Sequence, residues 1–253
     1  MRALEGMSVL ITGGGSGIGE GAAKHFANKG SKVTIAGRRE EPLAKTALSI
    51  GPNANYVVGD VTKSEDRISM VQAAVQHGNG LEVLISNAGN IYRCDVEDYE
   101  EQQLLDLFHS NVVGGMMLLK ESVGYLKESE GCVLFVGSVH TQRAFPNASP
   151  YAATKGALET LTGVLAAELG KDRVRVGCVR PGGVFTEINV RAGLSTAKEA
   201  KERLEGMGNM HALGRIGTTE EIAEAFEYLA CAEWTTGNVL TVDGGLGLGV
   251  TQE

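Results

Sequence analysis

Cysteine is scarce and unpatterned in this chain: Cys94, Cys132, Cys178 and Cys231 lie far apart and form no paired motif. Such spacing supports neither a disulfide framework nor a zinc site, and buried thiols in a reducing cytoplasm are the plainer reading. Positive charge is not in excess. The formal net charge is −8, which weighs against nucleic acid, a ligand that needs a basic surface to displace counterions. No apolar run approaches the ~20 residues of a membrane span. The start, Met1 to Gly6, is too short and polar for a signal peptide and leads straight into an apolar segment. No linker, repeat or composition break divides the chain, so residues 1–253 read as one domain. The expectation is a cytoplasmic protein without metal, nucleic-acid or membrane partners.

What is present is rhythm. Short runs rich in Val, Ile and Leu occur at Met7–Thr12, Lys32–Gly37, Tyr56–Gly59, Leu81–Ser86, Cys132–Gly137, Val174–Val179 and Val239–Val242. Runs without polar alternation suit strands buried on both faces of a parallel sheet. Between them lie stripes at helical spacing, such as Ala22, Ala23, Phe26 and Ala27, or Leu158, Leu161, Leu165 and Leu169. Strand and helix alternating over the whole length predict an α/β fold of the Rossmann type: a doubly wound, mainly parallel seven-stranded sheet with helices on both faces. One stretch breaks the rhythm. Residues 186–215 are long, mixed in polarity and glycine-bearing, as a substrate lid would be. The acidic run Asp95, Glu97, Asp98, Glu100, Glu101 lacks histidine partners and reads as the opening of a helix, where carboxylates favour the positive dipole end.

The first strand is followed by Thr12-Gly13-Gly14-Gly15-Ser16-Gly17-Ile18-Gly19 and then a helix. Glycines let backbone approach a ligand closely, and a helix N-terminus offers free N–H groups and partial positive charge. After the first strand of a βαβ unit, that combination suits the pyrophosphate of a dinucleotide. The spacing is not the usual G-x-G-x-x-G, and a glycine turn alone is also a plain strand–helix corner. No Lys-Ser or Lys-Thr follows the glycines, which excludes a Walker loop.

Ser138 ends the fifth run, and Tyr151 and Lys155 open the next helix on one face, at i and i+4. A phenol titrates near ~10, and a neighbouring ammonium favours phenolate and brings tyrosine toward useful acid/base strength. Tyr-x-x-x-Lys alone is also an ordinary solvated helix face. Its place after a strand-end serine, downstream of the glycine loop, favours chemistry.

Taken together, these motifs resemble the short-chain dehydrogenases/reductases, in their classical subgroup, over almost the whole chain. Thr12, Gly13, Ser16, Gly17, Ile18 and Gly19 are similar to that family's cofactor loop, and Asn87-Ala88-Gly89 to its N-A-G motif. Asn111, Ser138, Tyr151 and Lys155 are similar to its catalytic set, with Tyr151 thirteen positions after Ser138. Pro181, Gly182, Val184 and Thr186 resemble the segment that meets the nicotinamide, and Val242-Asp243-Gly244-Gly245 the final strand and turn. The chain departs from the pattern at Ser86, where asparagine is commoner before N-A-G. The resemblance implies that Tyr151 exchanges a proton with the substrate oxygen, Ser138 holds that oxygen, Lys155 contacts the nicotinamide ribose and supports Tyr151, and Asn111 helps hold a water relay.

The second strand ends in Gly37-Arg38-Arg39 where an acidic residue would accept from the NAD ribose. Arg38 and Arg39 suit the 2′-phosphate of NADP(H), with NAD(H) as the alternative and two solvated arginines as the bland one. By resemblance, Asp60 and Val61 flank the adenine. The substrate pocket is expected from His140, Gln142, Phe145 and Ile188. For His140 a plain loop role is equally open. Val184, Ile188, Val190, Leu194, Met207 and Met210 would form the lid's apolar inner face. The leading function is hydride transfer between nicotinamide and a small secondary alcohol or ketone. A 3-oxoacyl-[acyl-carrier-protein] reductase and a catalytically silent NADP-binding sensor or scaffold stay open. Surplus apolar residues on the helices at 104–126 and 151–169 predict a homotetramer.

Overall fold

The computed structural model describes residues 1–193 and 196–249. Its strands are β1 (Ser8–Thr12), β2 (Lys32–Gly37), β3 (Ala54–Val58), β4 (Val83–Ser86), β5 (Cys132–Val136), β6 (Arg175–Pro181) and β7 (Asn238–Val242). The helices are α1 (Gly17–Asn28), α2 (Glu40–Ile50), α3 (Ser64–Gly78), α4 (Glu101–Phe108), α5 (Gly114–Glu128), α6 (Ser149–Leu169), α7 (Ile188–Arg191), α8 (Ala197–Gly206) and α9 (Thr219–Cys231).

All seven strands lie in one sheet of order β3-β2-β1-β4-β5-β6-β7, and every neighbouring pair is parallel. The apolar runs explain why. β1 and β5 are buried along their whole length, as strands covered on both faces must be. Side chains alternate between two cores. Val9 and Ile11 of β1 face one core with Phe26 of α1 and Phe226 of α9. Leu10, between them, faces the other with Met70 of α3, Leu118 of α5 and Leu158 of α6. Burying each such side chain fully contributes about 1.5–3 kcal/mol.

Several strand and helix boundaries differ from the sequence pattern, and two of the differences have a visible cause. β3 starts at Ala54, two residues before the expected Tyr56, because an edge strand is only half-buried and carries polar residues such as Asn55. The helical run expected near 104–126 extends from Glu101 to Glu128, but residues His109–Val113 form a wide π turn between α4 and α5. The strand order reverses between β1 and β4, and such a switch point opens a crevice at the strands' carboxyl ends.

Candidate active site

The floor of the crevice is the turn after β1. Gly13 and Gly17 take positive φ of 67° and 57°, which glycine alone adopts readily. A Cβ on Gly19 would stand 2.3 Å from the Gly13 carbonyl oxygen, so α1 starts against the turn itself. Thr12 is buried and works inward. Its hydroxyl oxygen accepts from the backbone N–H of Asn87 and Ala88 at 3.1 and 2.9 Å, while the Asn87 amide donates to the Thr12 carbonyl at 2.8 Å. The glycine turn and Asn87-Ala88-Gly89 are thus one hydrogen-bonded unit. Gly13, Ser16, Gly17 and Ile18 line the cleft with Asn87, Ala88 and Gly89; Thr12 and Gly19 lie behind it.

The π turn has a purpose visible in Asn111. Its side-chain oxygen accepts from the Asn90 backbone N–H at 2.7 Å, and its amide donates to the Asn90 carbonyl at 2.9 Å and to Thr154 Oγ1 at 3.1 Å. An extra residue in a helical turn re-aims a side chain, a device frequent at functional sites. Asn111 is buried and does not border the cleft; it ties the loop after Gly89 to α6. Helix α6 begins at Ser149, with Pro150 at its start where a missing N–H costs nothing. Tyr151 and Lys155 therefore occupy its first turns and face the cleft. The buried Lys155 ammonium donates to the Val136 carbonyl at 2.8 Å and stands 5.5 Å from the Tyr151 ring centroid. A Cβ on Gly89 would lie 3.2 Å from Asn111 Oδ1 and 3.8 Å from Lys155 Nζ, so this glycine lets the two groups approach.

Ser138 follows β5 and is buried at the cleft wall. Its Oγ lies 3.0 Å from Nδ1 of His140. The His140 ring packs on Phe145 at 4.6 Å between centroids and edge-on to Tyr151 at 5.3 Å. His140 and Phe145 border the cleft, as does Ile188. Gln142 does not: the short turn Val139–Thr141 carries it to an exposed position beside Gly247.

The outer end of the crevice is open. Arg38 and Arg39 are exposed and border it together with Asp60 and Val61. Arg38 donates to Asn90 Oδ1 at 3.4 Å, and Arg39 pairs with Glu187 at 3.1 Å across the cleft. Burial alone would raise the Asp60 carboxyl, but bonds from the Thr62 N–H and hydroxyl, with the charges of Arg38 and Lys63, hold it below its ordinary value.

Pro181, Gly182, Val184 and Thr186 lead from β6 along the cleft toward α7. The feet of this segment are joined, since Gly217 N–H donates to the Gly183 carbonyl at 2.8 Å. Buried His211 accepts from the Gly183 N–H at 3.1 Å, and its other nitrogen donates to the Met207 carbonyl at 2.9 Å. Val184, Ile188 and Met207 border the cleft, whereas Val190 and Met210 do not, and Leu194 lies outside the described residues.

A family model described as enoyl-(acyl carrier protein) reductase matches residues 13–247. A Caenorhabditis elegans short-chain dehydrogenase/reductase of unknown function, solved with cofactor, superposes with a TM-score of 0.92 at 27% identity, each chain covered to 98%. (+)-Borneol dehydrogenase 1 of Salvia officinalis is 34% identical over 96% of this chain and 95% of its own. The chain belongs to the short-chain dehydrogenase/reductase family. Within that family of oxidoreductases it also resembles the 3-ketoacyl-(acyl-carrier-protein) reductase of Brucella melitensis, solved with NADH. That structure has a TM-score of 0.88 at 31% identity, covering 96% of this chain and 99% of the other.

Ser86, where the chain departs from the family's motif, lies at the end of β4 beside α5. A Cβ on Gly115 would stand 2.7 Å from Ser86 Oγ, so α5 is packed closely on the strand end. Motif reading missed Ile91, Arg93, Glu187 and Leu246, all of which border the cleft. None sits in a patterned position; Arg93 lies in irregular chain after Gly89, and Leu246 arrives from beyond β7. Among the described residues no three His, Cys, Asp or Glu side chains gather to hold a metal, all four cysteines are unpaired, and no helix is long and apolar enough to cross a membrane.

Proposed function

We propose that this chain transfers a hydride between a nicotinamide cofactor, NADP(H) in preference to NAD(H), and a small secondary alcohol or its ketone. The observation that carries the reading is the convergence of Tyr151, Lys155 and Ser138 on one cleft wall beside a glycine cradle. The cradle fits a dinucleotide: two turn glycines with positive φ bring bare backbone to the cleft next to the N-terminus of α1. Gly13, Ser16, Gly17 and Ile18 would hold the pyrophosphate, Asp60 and Val61 the adenine end, and Arg38 and Arg39 a 2′-phosphate. Asn87, Ala88, Gly89, Tyr151, Lys155, Pro181, Gly182, Val184 and Thr186 would hold the nicotinamide half.

When bound, the nicotinamide supplies or accepts the hydride. In reduction the Tyr151 phenol gives its proton to the substrate oxygen, and in oxidation it takes that proton back. The Lys155 ammonium offsets the charge left on the phenol oxygen. Ser138 donates to the substrate oxygen where negative charge develops. Asn111 ties the loop after Gly89 to α6 and would help hold the water relay that the family resemblance implies. Residues 186–215 act as a lid that excludes water during transfer, with Ile188 and Phe145 giving the substrate an apolar surface.

A second reading, 3-oxoacyl-[acyl-carrier-protein] reduction, is favoured by the likeness to the Brucella enzyme and disfavoured by a net charge of −8, which offers no evident basic dock for an acidic carrier. The intact Asn111, Ser138, Tyr151 and Lys155 set argues against a silent sensor. A spectrophotometric panel of cyclohexanone, camphor, ethyl acetoacetate and acetoacetyl-coenzyme A with NADPH and NADH tests all three. Turnover of the small ketones supports the proposal, turnover of the thioester alone moves it to the second reading, and NADPH binding without any turnover leaves the sensor.

The assembly reading is a homotetramer. Leu105, Phe108, Met116 and Val164 are exposed on α4, α5 and α6, and Cβ atoms built at Gly124, Gly156 and Gly163 meet nothing within 4 Å. Two such faces packed about a two-fold axis would bury them. Light scattering showing a mass near 26.6 kDa would refute it. Four unpaired thiols suit the cytoplasmic placement.

A further inference from the structure

Ser138 Oγ, both ring nitrogens of His140 and the guanidinium of Arg93 form one chain of hydrogen bonds. We propose that Arg93 and His140 are positioning residues that set the direction of the Ser138 hydroxyl, so that it reaches the substrate oxygen as a donor. The hydride-transfer reading supplies the reaction in which this matters.

A guanidinium has donors and no acceptor. Arg93 Nη2 lies 3.2 Å from His140 Nε2, so Nε2 must accept, and the ring is neutral with its proton on Nδ1. That proton points at Ser138 Oγ, 3.0 Å away. The backbone N–H of His140 donates to the same oxygen at 3.3 Å. A hydroxyl oxygen has two acceptor sites and one proton. With both acceptor sites engaged, the Ser138 proton has only one use, donation into the cleft. Had Nδ1 been the acceptor, the serine would have spent its proton on the histidine and offered the substrate a lone pair.

The ring is held for this task from both sides. Phe145 packs against it, tilted, at 4.6 Å and Tyr151 meets it edge-on at 5.3 Å. The turn that carries His140 is pinned by Thr141, whose hydroxyl lies 2.8 Å from both the Ser138 carbonyl and Glu159 Oε1. A preorganised donor acts where charge develops without having to reorient during the reaction.

The test has a spectroscopic and a kinetic arm. In the wild-type protein at neutral pH, NMR of 15N-histidine should show His140 protonated on Nδ1. Protonation on Nε2 alone, or on both nitrogens, overturns the proposal. This arm needs no substrate, so it tests the Arg93–His140–Ser138 chain separately from the hydride-transfer reading. In the kinetic arm, His140→Ala should lower kcat for the fastest panel ketone by about tenfold, part of the ~10² that loss of an oxyanion donor costs, with KM near native. Introduced into Ser138→Ala, the same change should cost less than about twofold, because a residue acting through another adds nothing once that other is gone. Losses that multiply, or a KM that rises in both backgrounds, would mean that His140 acts on the substrate directly and would overturn the proposal.

Discussion

At the inner end of the cleft, polar side chains are buried and committed several times over. Asn111 holds Asn90 from both sides and Thr154 as well, Lys155 is tied to Val136, and Thr12 serves two backbone N–H groups. At the outer end, Arg38 and Arg39 are exposed and make long bonds to Asn90 and Ser16 and an exposed ion pair with Glu187. The inner end is fixed by its own hydrogen bonds, whereas the outer end presents two exposed guanidinium groups to the crevice. Exposed ion pairs of that kind contribute ~0–1 kcal/mol, so displacing Glu187 from Arg39 costs little. Under the proposed function, fixed geometry would serve bond-making and exposed charge would serve selection between cofactors.

The largest expected effect breaks the inner end. Tyr151→Phe should reduce kcat by about 10²–10⁴, the usual worth of general acid/base catalysis, while NADPH affinity stays near native. Steady-state kinetics beside a fluorescence titration measure both. Activity within about tenfold of wild type would remove Tyr151 from its proposed role.

One methyl group then separates the two ends by steric tolerance. At Gly19 a new Cβ would stand 2.3 Å from the Gly13 carbonyl and 2.6 Å from the Asn87 amide. Gly19→Ala should destabilise the fold by about 1–3 kcal/mol, the range for overpacking, and weaken NADPH binding. At Gly37 the nearest atom to a new Cβ is Leu43 at 3.7 Å, an ordinary contact, so Gly37→Ala should stay within about 0.5 kcal/mol. Urea unfolding of the pair checks the contrast, and equal losses would erase the distinction between the ends.

Charge reversal probes the outer end alone. Arg38→Asp should shift the kcat/KM ratio of NADPH to NADH by about 10- to 100-fold toward NADH, since a carboxylate repels a 2′-phosphate and each ~1.4 kcal/mol is a factor of ten. An unchanged ratio would return Arg38 to the solvent.

Legibility in the sequence follows the same division. Ser138, Tyr151 and Lys155 are recognisable because their spacing is set by one strand end and one helix. The sheet is recognisable because its central strands are continuously apolar. What could not be read is whatever tertiary convergence decides. Arg93 reaches His140 because irregular chain after β4 comes beside the turn that follows β5. The π turn at His109–Val113 is invisible because it lies within one helical run whose chain stays helical on both sides of it. Gln142 looked like a cleft residue by proximity to Ser138, but a three-residue turn was enough to carry it outside.

Another small effect lies at the lid's far foot, where α9 begins. Thr218 and Glu221 form a reciprocal cap, and Glu221 pairs with Arg215 at the end of the lid. The Arg215 bond, followed by the Thr218 N–H, lowers the Glu221 carboxyl from 4.5 to about 2. A carboxyl lowered on folding stabilises the fold above its unfolded value and loses that contribution as pH falls through the folded one. Glu221→Gln keeps an acceptor for Thr218 but discards the charge. At neutral pH the variant should be less stable, by no more than about 1 kcal/mol, because this pair is solvent-screened. The gap should close between pH 4.5 and about 2, as wild-type Glu221 itself becomes neutral. Urea midpoints of both proteins across that window measure it. A gap that persists unchanged into acid would assign the loss to packing, and the lid's foot would then belong with the rigid inner end instead of the charged outer one.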